Sequence, residues 1–127
     1  MGRVILDSSV LIAATSSLDV HHSAAIAALH TKNDYFASVI TLAEVLSFPM
    51  RENPTKAGAL RNQLKSLFTD FIDVNEGIAV RAAEIRSTSS IKLPDALISA
   101  TAALHKLELW TFDKQLAKAT KGARLLK

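Results

Sequence analysis

The chain has 127 residues, of which 49% are hydrophobic and 21% charged, and this composition predicts a single globular domain over residues 1–127 rather than a largely disordered chain. Cysteine is absent and no apolar run approaches the roughly 18 residues of a membrane-spanning helix, which excludes a disulfide framework and a thiolate zinc site and predicts a cytoplasmic protein without membrane contact. Fifteen Lys and Arg residues against twelve Asp and Glu residues give a net charge of +3, which permits a polyanionic partner without requiring one.

The first predicted element is a buried strand at Val4–Leu6, an apolar run that ends at a carboxylate. Asp7 follows the run directly, and the hydroxyls of Ser8 and Ser9 come next. Short apolar runs of this kind are typical of strands in parallel sheets. Ligands of open α/β sheets bind beyond the carboxyl ends of such strands, so Asp7 is the first candidate site residue.

The rest of the chain alternates between helix and strand patterns. Thr41 and Glu44 fit a capping box, which predicts a helix that starts near Thr41 and ends before Pro49. The other predicted elements, in chain order, are a short helix at 10–14, a helix from Asp19 to about His30, a strand at 35–37, a helix at 54–67, a strand at 71–74, a helix capped by Asn75, a helix opened by Leu93-Pro94-Asp95, a strand at 108–111, a helix at 114–119 and an edge strand at 123–126. This alternation predicts an α/β layered fold with a central, mostly parallel sheet.

Four acids stand where such a sheet would bring them to one edge. Asp7 and Asp113 each follow a predicted strand, whereas Glu44 and Asp95 each lie in the first turn of a predicted helix. Each acid has a simpler explanation. Asp95 could complement a helix macrodipole, Glu44 could close the capping box, and Asp7 and Asp113 could cap the helices that follow them.

The coincidence of all four acids favours a shared site. Each stands beside apolar sequence that would tend to bury it, and burying several unpaired carboxylates is costly because the like charges repel and lose hydration. A divalent cation removes that cost, and hard oxygen ligands select Mg²⁺ or Mn²⁺. The sequence therefore predicts a metal site at this edge of the sheet.

The order of these motifs resembles that of PIN-domain nucleases, most closely the VapC-type toxins of toxin–antitoxin pairs. The resemblance rests on Asp7-Ser8-Ser9, on Thr41-Leu42-Ala43-Glu44-Val45, on the run from Leu93 to Ala102 with Pro94-Asp95, and on Thr111-Phe112-Asp113. It implies a PIN-like three-layer α/β/α sandwich and a Mg²⁺- or Mn²⁺-dependent endoribonuclease. It also implies a homodimer and a cognate VapB-like antitoxin as partner.

The resemblance also implies a role for each site residue. Asp7, Asp95 and Asp113 would hold the metal, and Glu44 would complete the acidic pocket as a catalytic residue. The supporting hydroxyls would be those of Ser8, Ser9 and Thr111. Phe112 stands where many members carry a polar residue, so no polar role is expected there.

Two alternatives to this nuclease are a phosphatase and a binding module without catalytic activity. A phosphatase that uses Asp-x-Asp is disfavoured because Ser9 fills the second acidic position. A catalytically inactive PIN-like module that binds RNA or protein stays open, although the retained acids argue against it.

Two other features carry competing interpretations. Phe48-Pro49-Met50 could pack under the next helix or form an interface patch, and the resemblance favours the interface. His21 and His22 are adjacent histidines that suggest a metal-binding pair. Adjacent residues point to different faces of a helix, however, so a shared metal is not expected.

Overall fold

The computed structural model describes residues 2–127, and over that range the chain forms five strands and seven helices. The predicted domain begins at Met1, which lies outside the described residues. In chain order the elements are β1 Gly2–Leu6, α1 Ser8–Thr15, α2 His22–Leu29, β2 Asn33–Ser38, α3 Val39–Glu52, α4 Pro54–Leu67, β3 Asp70–Ile72, α5 Glu76–Thr88, α6 Leu93–His105, β4 Glu108–Thr111, α7 Lys114–Ala119 and β5 Arg124–Leu125.

The five strands form one sheet in the order β3-β2-β1-β4-β5, and every neighbouring pair is parallel. Ile5 of the central strand β1 pairs with Phe36 of β2 on one side and with Leu109 of β4 on the other. The chain builds the sheet outward from β1 in one direction and then returns to add β4 and β5 in the other. The reversal leaves a crevice beyond the carboxyl ends of β1 and β4, where open α/β sheets bind their ligands.

Helices cover both faces of the sheet, which confirms the expected α/β/α sandwich. Val4 and Leu6 of β1 face a core shared with α1, α2, α3 and α4, whereas Ile5 faces a second core shared with α5, α6 and α7. Because successive side chains of a strand point to opposite faces, three consecutive apolar residues serve both cores. No helix within residues 2–127 is long and apolar enough to cross a membrane.

The predicted boundaries of α3 are wrong at both ends. The helix begins at Val39 because Ser38, the last residue of β2, is its N-cap, and the Ser38 Oγ accepts a hydrogen bond of 3.1 Å from the backbone N–H of Ile40. At the other end Pro49 lies inside the helix, which continues to Glu52. Proline removes one hydrogen bond, but the helix also packs against α4, and tertiary packing supplies most of a helix's stability.

Smaller differences have local causes. Helix α2 starts at His22 rather than at Asp19, because the Asp19 carboxylate accepts a hydrogen bond of 2.8 Å from the His21 N–H in the preceding turn. Strand β2 starts at Asn33, two residues before the predicted strand at 35–37, because pairing with β1 extends to Gly2. Strand β3 occupies 70–72 instead of 71–74. Helices α4 and α7 and strand β4 have the predicted boundaries.

Candidate active site

Asp7 and Thr111 lie at the carboxyl ends of the adjacent strands β1 and β4. The Thr111 hydroxyl donates a hydrogen bond of 2.8 Å to Oδ2 of Asp7, and the Ser9 hydroxyl donates one of 2.7 Å to Oδ1. The Asp7 side chain is only 4% exposed. Both carboxylate oxygens of a buried acid are therefore held in place by hydroxyl groups.

The same two hydroxyls also fix the loop that follows β4. The backbone N–H of Phe112 donates to the Ser9 Oγ over 3.1 Å, and that of Asp113 donates to the Thr111 Oγ1 over 3.0 Å. Ser9 and Thr111 thus connect the two strand ends and orient Asp7. Ser8 is half-buried in the first turn of α1 and takes no part in this network among the described residues.

Asp7 is an unfavourable place for a negative charge in the absence of a cation. Burial raises the pKa of Asp7 from 3.8 to about 6, even though the hydrogen bonds from Ser9 and Thr111 favour the ionised form. The charge of Asp95 raises this pKa further. Asp7 occupies the N-cap position of α1, where the backbone N–H of Val10 also lowers its pKa, but no cap hydrogen bond of ordinary geometry forms, so capping does not explain the buried acid.

Asp95 lies in the first turn of α6, half-buried, directly after Pro94. The helix macrodipole favours a negative charge at this position. The pKa of Asp95 is nevertheless raised, first by burial and then by the charges of Asp113 and Glu44, with Lys92 acting in the opposite direction. Asp95 is thus the acid whose charge interacts with those of the other three.

Asp113 combines the capping role with a position at the site. It is the N-cap of α7, and its Oδ1 accepts hydrogen bonds from the backbone N–H groups of Gln115 at 2.8 Å and Leu116 at 3.2 Å. The Oδ2 atom takes no part in the cap. Because the charge of Asp113 also raises the pKa of Asp95, the capping carboxylate still contributes to the acidic edge.

Glu44 does not cap its helix, and the predicted capping box with Thr41 is wrong. Since α3 starts at Val39, both residues lie inside the helix, three positions apart and therefore on one face. The Thr41 Oγ1 and the Glu44 Oε1 are both buried, and neither has a hydrogen-bond partner among residues 2–127. Unpaired buried polar atoms are uncommon in folded proteins and often indicate an unseen water or ion.

The chemistry of these residues fits a hard divalent cation. Four carboxylates lie near one edge, one of them presents an unpaired buried oxygen, and two have raised pKa values that a positive charge would reverse. Within the described part of the chain, no three acidic or histidine side chains are already arranged as a ligand cluster. Such a site suits Mg²⁺, which keeps several waters and binds proteins through one or two carboxylates.

An aromatic pair beside the acids was not predicted. The rings of His21 and Phe112 are stacked, with centroids 4.3 Å apart and planes only 13° apart. The one sequence signal for it was an aromatic residue between Thr111 and Asp113. Nothing in the sequence placed His21, 91 residues before Phe112, against that ring.

The Phe48 region is a surface and not a packed core. Phe48 is 64% exposed on α3, and it lines a groove of about 950 Å³ between α1, α3 and α4. Ile12 and Val45 contribute further apolar surface to this groove, and Glu44 lines it as well. The groove thus extends from an apolar patch to one of the four acids.

Comparisons with known proteins agree with this architecture. Residues 4–122 match the PIN domain family. A toxin–antitoxin complex from Klebsiella pneumoniae aligns with a TM-score of 0.80 and 30% identity over 95% of each chain, and FitAcB from Neisseria gonorrhoeae with 0.78 and 26% over 96% of each chain. VapC20 from Mycobacterium tuberculosis, a sarcin-ricin loop cleaving toxin, has a TM-score of 0.76 over 95% of this chain and 98% of that one, and at 18% identity shows the fold alone. No curated protein matches. The chain belongs to the PIN domain family.

Proposed function

We propose that this protein is a Mg²⁺- or Mn²⁺-dependent endoribonuclease, a VapC-type toxin that a cognate antitoxin neutralises. The observation that carries the proposal is the buried Asp7. Ser9 and Thr111 hold it at the crevice, and the negative charge of Asp95 raises its pKa. Membership of the PIN domain family supports nuclease chemistry. The VapC20 toxin, whose fold this chain shares, is described as cleaving a target loop, and this supports a nucleolytic toxin.

Asp7, Asp95 and Asp113 are the proposed metal ligands, and Glu44 completes the acidic pocket. When bound, a divalent cation supplies an activated water and neutralises charge on the scissile phosphate. The residues of the chain prepare this site in advance. Ser9 and Thr111 hold the Asp7 carboxylate in one orientation, so little reorganisation is needed when a substrate arrives.

A cleavage assay tests this proposal directly. Purified protein is incubated with total RNA in Mg²⁺ or Mn²⁺, and Asp7→Asn and Asp95→Asn are compared with the parent. Both variants should lose at least about tenfold in rate, and chelation of the metal should abolish cleavage. Asp34→Asn is the matched control. Asp34 lies near the amino end of β2, opposite Arg3 of β1 in the strand register, and so at the other end of the sheet from the acids. Equal rates for the parent and both site variants would remove these acids from the mechanism.

The proposed antitoxin contact involves the groove between α1, α3 and α4. An apolar groove that contains Phe48 and Glu44 could accept a segment with both apolar and basic side chains. The similar chains from Klebsiella pneumoniae and Neisseria gonorrhoeae, a toxin–antitoxin complex and FitAcB, support such a partner. We expect Phe48→Ser to weaken copurification with the product of a short neighbouring gene. Retention of that product at the parental level would move the contact elsewhere.

We propose further that residues 1–127 form one domain, that the toxin is a homodimer, and that it acts in the cytoplasm, where its RNA substrate is found. One sheet shared by two cores supports the single domain. Light scattering on the purified chain tests the dimer. A monomer at micromolar concentration would contradict it.

One observation favours the alternative of a catalytically inactive module that binds RNA or protein. Within residues 2–127, no three acidic or histidine side chains lie close enough together to hold an ion as they stand. Calorimetric titration with Mn²⁺ separates the two functions. Binding that is lost in Asp95→Asn favours the nuclease, and no binding at millimolar metal favours the module.

A further inference from the structure

The His21–Phe112 stack is an aromatic surface that the acidic site does not use. The two rings lie 4.3 Å apart and nearly parallel. Phe112 is half-buried and packs against the core that also contains Val4 and Trp110, so it is a fixed base for the stack. His21 lies on it from the end of the loop between α1 and α2, where the Asp19 carboxylate accepts its backbone N–H.

Hydrogen bonds fix the stack relative to Asp7. The Phe112 N–H donates to the Ser9 Oγ over 3.1 Å, and that hydroxyl donates to the Asp7 carboxylate over 2.7 Å. The next residue, Asp113, caps α7. The stack therefore stands beside the acidic edge, at a position fixed relative to Asp7.

The His21 ring differs from the neighbouring histidine rings in its contacts. The ring nitrogens of His22 and His30 contact the backbone carbonyls of Ala13 and Ile26 at 2.8 Å and 2.7 Å. The His21 ring makes no such bond among the described residues and is stacked on the Phe112 ring. In the same loop, Leu18 and Val20 are 95% and 90% exposed. This loop therefore presents apolar side chains to solvent rather than to the core.

We propose that the His21–Phe112 stack is the platform on which an unpaired nucleobase of the RNA substrate stacks, next to the scissile phosphate. The proposal rests on the ribonuclease function proposed above. Proteins recognise RNA chiefly through unstacked bases, and His and Phe rings are among the surfaces on which such bases stack. The stack would make His21 and Phe112 specificity-determining residues, whereas the acids contact only the backbone.

Two probes that differ only in their bases test the platform. One is a short labelled oligouridine, and the other is an abasic ribose-phosphate oligomer of the same length and charge. Binding is measured by fluorescence anisotropy with Ca²⁺ present, and a gel verifies that the probe stays intact. The parent should bind the oligouridine about tenfold more tightly than the abasic probe. In His21→Ala and Phe112→Leu this preference should fall to about twofold or less, with unchanged affinity for the abasic probe.

Conservative variants and a distant histidine serve as controls. Phe112→Tyr and His21→Phe keep two stacked rings and should keep the preference. His105→Ala removes an exposed histidine at the far end of α6 and should change nothing. If Phe112→Leu does not fold, His21→Ala alone still tests the platform, because the His21 ring makes no hydrogen bond among the described residues.

Three outcomes would overturn the platform. An unchanged preference in both variants would mean that no base stacks there. Equal loss for both probes would mean that the pair only supports the loop. If the two variants keep the preference for the oligouridine but the antitoxin no longer inhibits them, the pair lies in a protein interface. In each of these cases the parent protein still cleaves RNA. If the ribonuclease proposal itself is wrong, the parent protein cleaves no RNA with either Mg²⁺ or Mn²⁺.

Discussion

Thr111 and Asp7 are 104 positions apart in the chain, yet the Thr111 hydroxyl lies 2.8 Å from the Asp7 carboxylate and is fully buried. This hydrogen bond joins the ends of the parallel strands β1 and β4, at the point where the order of strand addition reverses. The Thr111 Oγ1 also accepts the backbone N–H of Asp113, so one hydroxyl connects two of the four acids. The alignment of the acids therefore depends on Thr111 as well as on the acids themselves.

Replacement of Thr111 by Val should impair both stability and activity. The change keeps the shape of the side chain but leaves the Asp7 Oδ2 and the Asp113 N–H without their partner. Unfolding in urea should show a loss of about 1–3 kcal/mol, the usual cost of leaving buried polar groups unpaired. The cleavage rate should fall about tenfold or more, because Asp7 is no longer held in one orientation.

Thr15→Val is the control for this variant, since the Thr15 hydroxyl is exposed and donates to the Ile12 carbonyl in the same helix. It should leave the cleavage rate unchanged. Parental activity in Thr111→Val would show that the hydroxyl does not position Asp7.

The stability of the metal-free protein should depend on pH through Asp7. Its pKa is about 6 in the folded chain against an ordinary 3.8, so the folded state holds this proton more tightly than the unfolded state. The contribution of Asp7 to stability is therefore fully present below about pH 4 and is lost as the pH rises through about 6. Above that range the ionised, buried carboxylate costs about 3 kcal/mol relative to a neutral group.

Asp7→Asn should remove this pH dependence, because the amide stays neutral. In the presence of a chelator, the variant should be more stable than the parent at about pH 8, by up to about 3 kcal/mol, and the advantage should shrink towards about pH 4. Urea unfolding at both pH values measures this difference in stability between variant and parent, with Asp34→Asn as the control. An advantage that stays constant with pH would contradict a raised pKa.

The sequence predicted the elements that depend on local patterns. The strand at Val4–Leu6, the helix at 54–67 and the helix opened by Leu93-Pro94-Asp95 each follow from their own local sequence, and the corresponding elements form where they were predicted. Helix α3 was placed wrongly because two acceptable caps, Ser38 and Thr41, compete. The parallel pairing of β2 with β3 extends to Ser38, which lies opposite Ile72, and this favours Ser38 as the cap.

The candidate site could be predicted only as a set of acids near one edge. That prediction followed from strand ends and helix starts, which sequence patterns locate to within a few residues. The Ser9–Asp7–Thr111 network, the unpaired Thr41 hydroxyl and the His21–Phe112 stack all depend on side-chain contacts across the fold. No local pattern contains this information, so these features required the three-dimensional arrangement.

A bound metal should stabilise the folded protein. Addition of Mn²⁺ at about 100 times its dissociation constant should raise the free energy of unfolding by about 2.7 kcal/mol, which raises the melting temperature by several degrees. A chelator should reverse the shift. Asp95→Asn and Glu44→Gln should reduce it, because the charges of Asp95 and Glu44 interact in the folded chain. An equal shift in Asp34→Asn and Asp95→Asn would mean that the ion binds elsewhere.

Thr41 and Thr101 provide a matched test of the unpaired hydroxyl at the site. Both are fully buried helical threonines, but the Thr101 Oγ1 donates to the Leu97 carbonyl at 2.7 Å, whereas the Thr41 Oγ1 has no partner within residues 2–127. Without metal, Thr41→Val should be about 1 kcal/mol more stable than the parent in urea, and Thr101→Val about 1 kcal/mol less stable. If the Thr41 hydroxyl contacts a water or ligand of the acidic pocket, Thr41→Val should also reduce the stabilisation by Mn²⁺, because that partner is then lost. Destabilisation by both changes would mean that the Thr41 hydroxyl is already hydrogen-bonded in the metal-free protein.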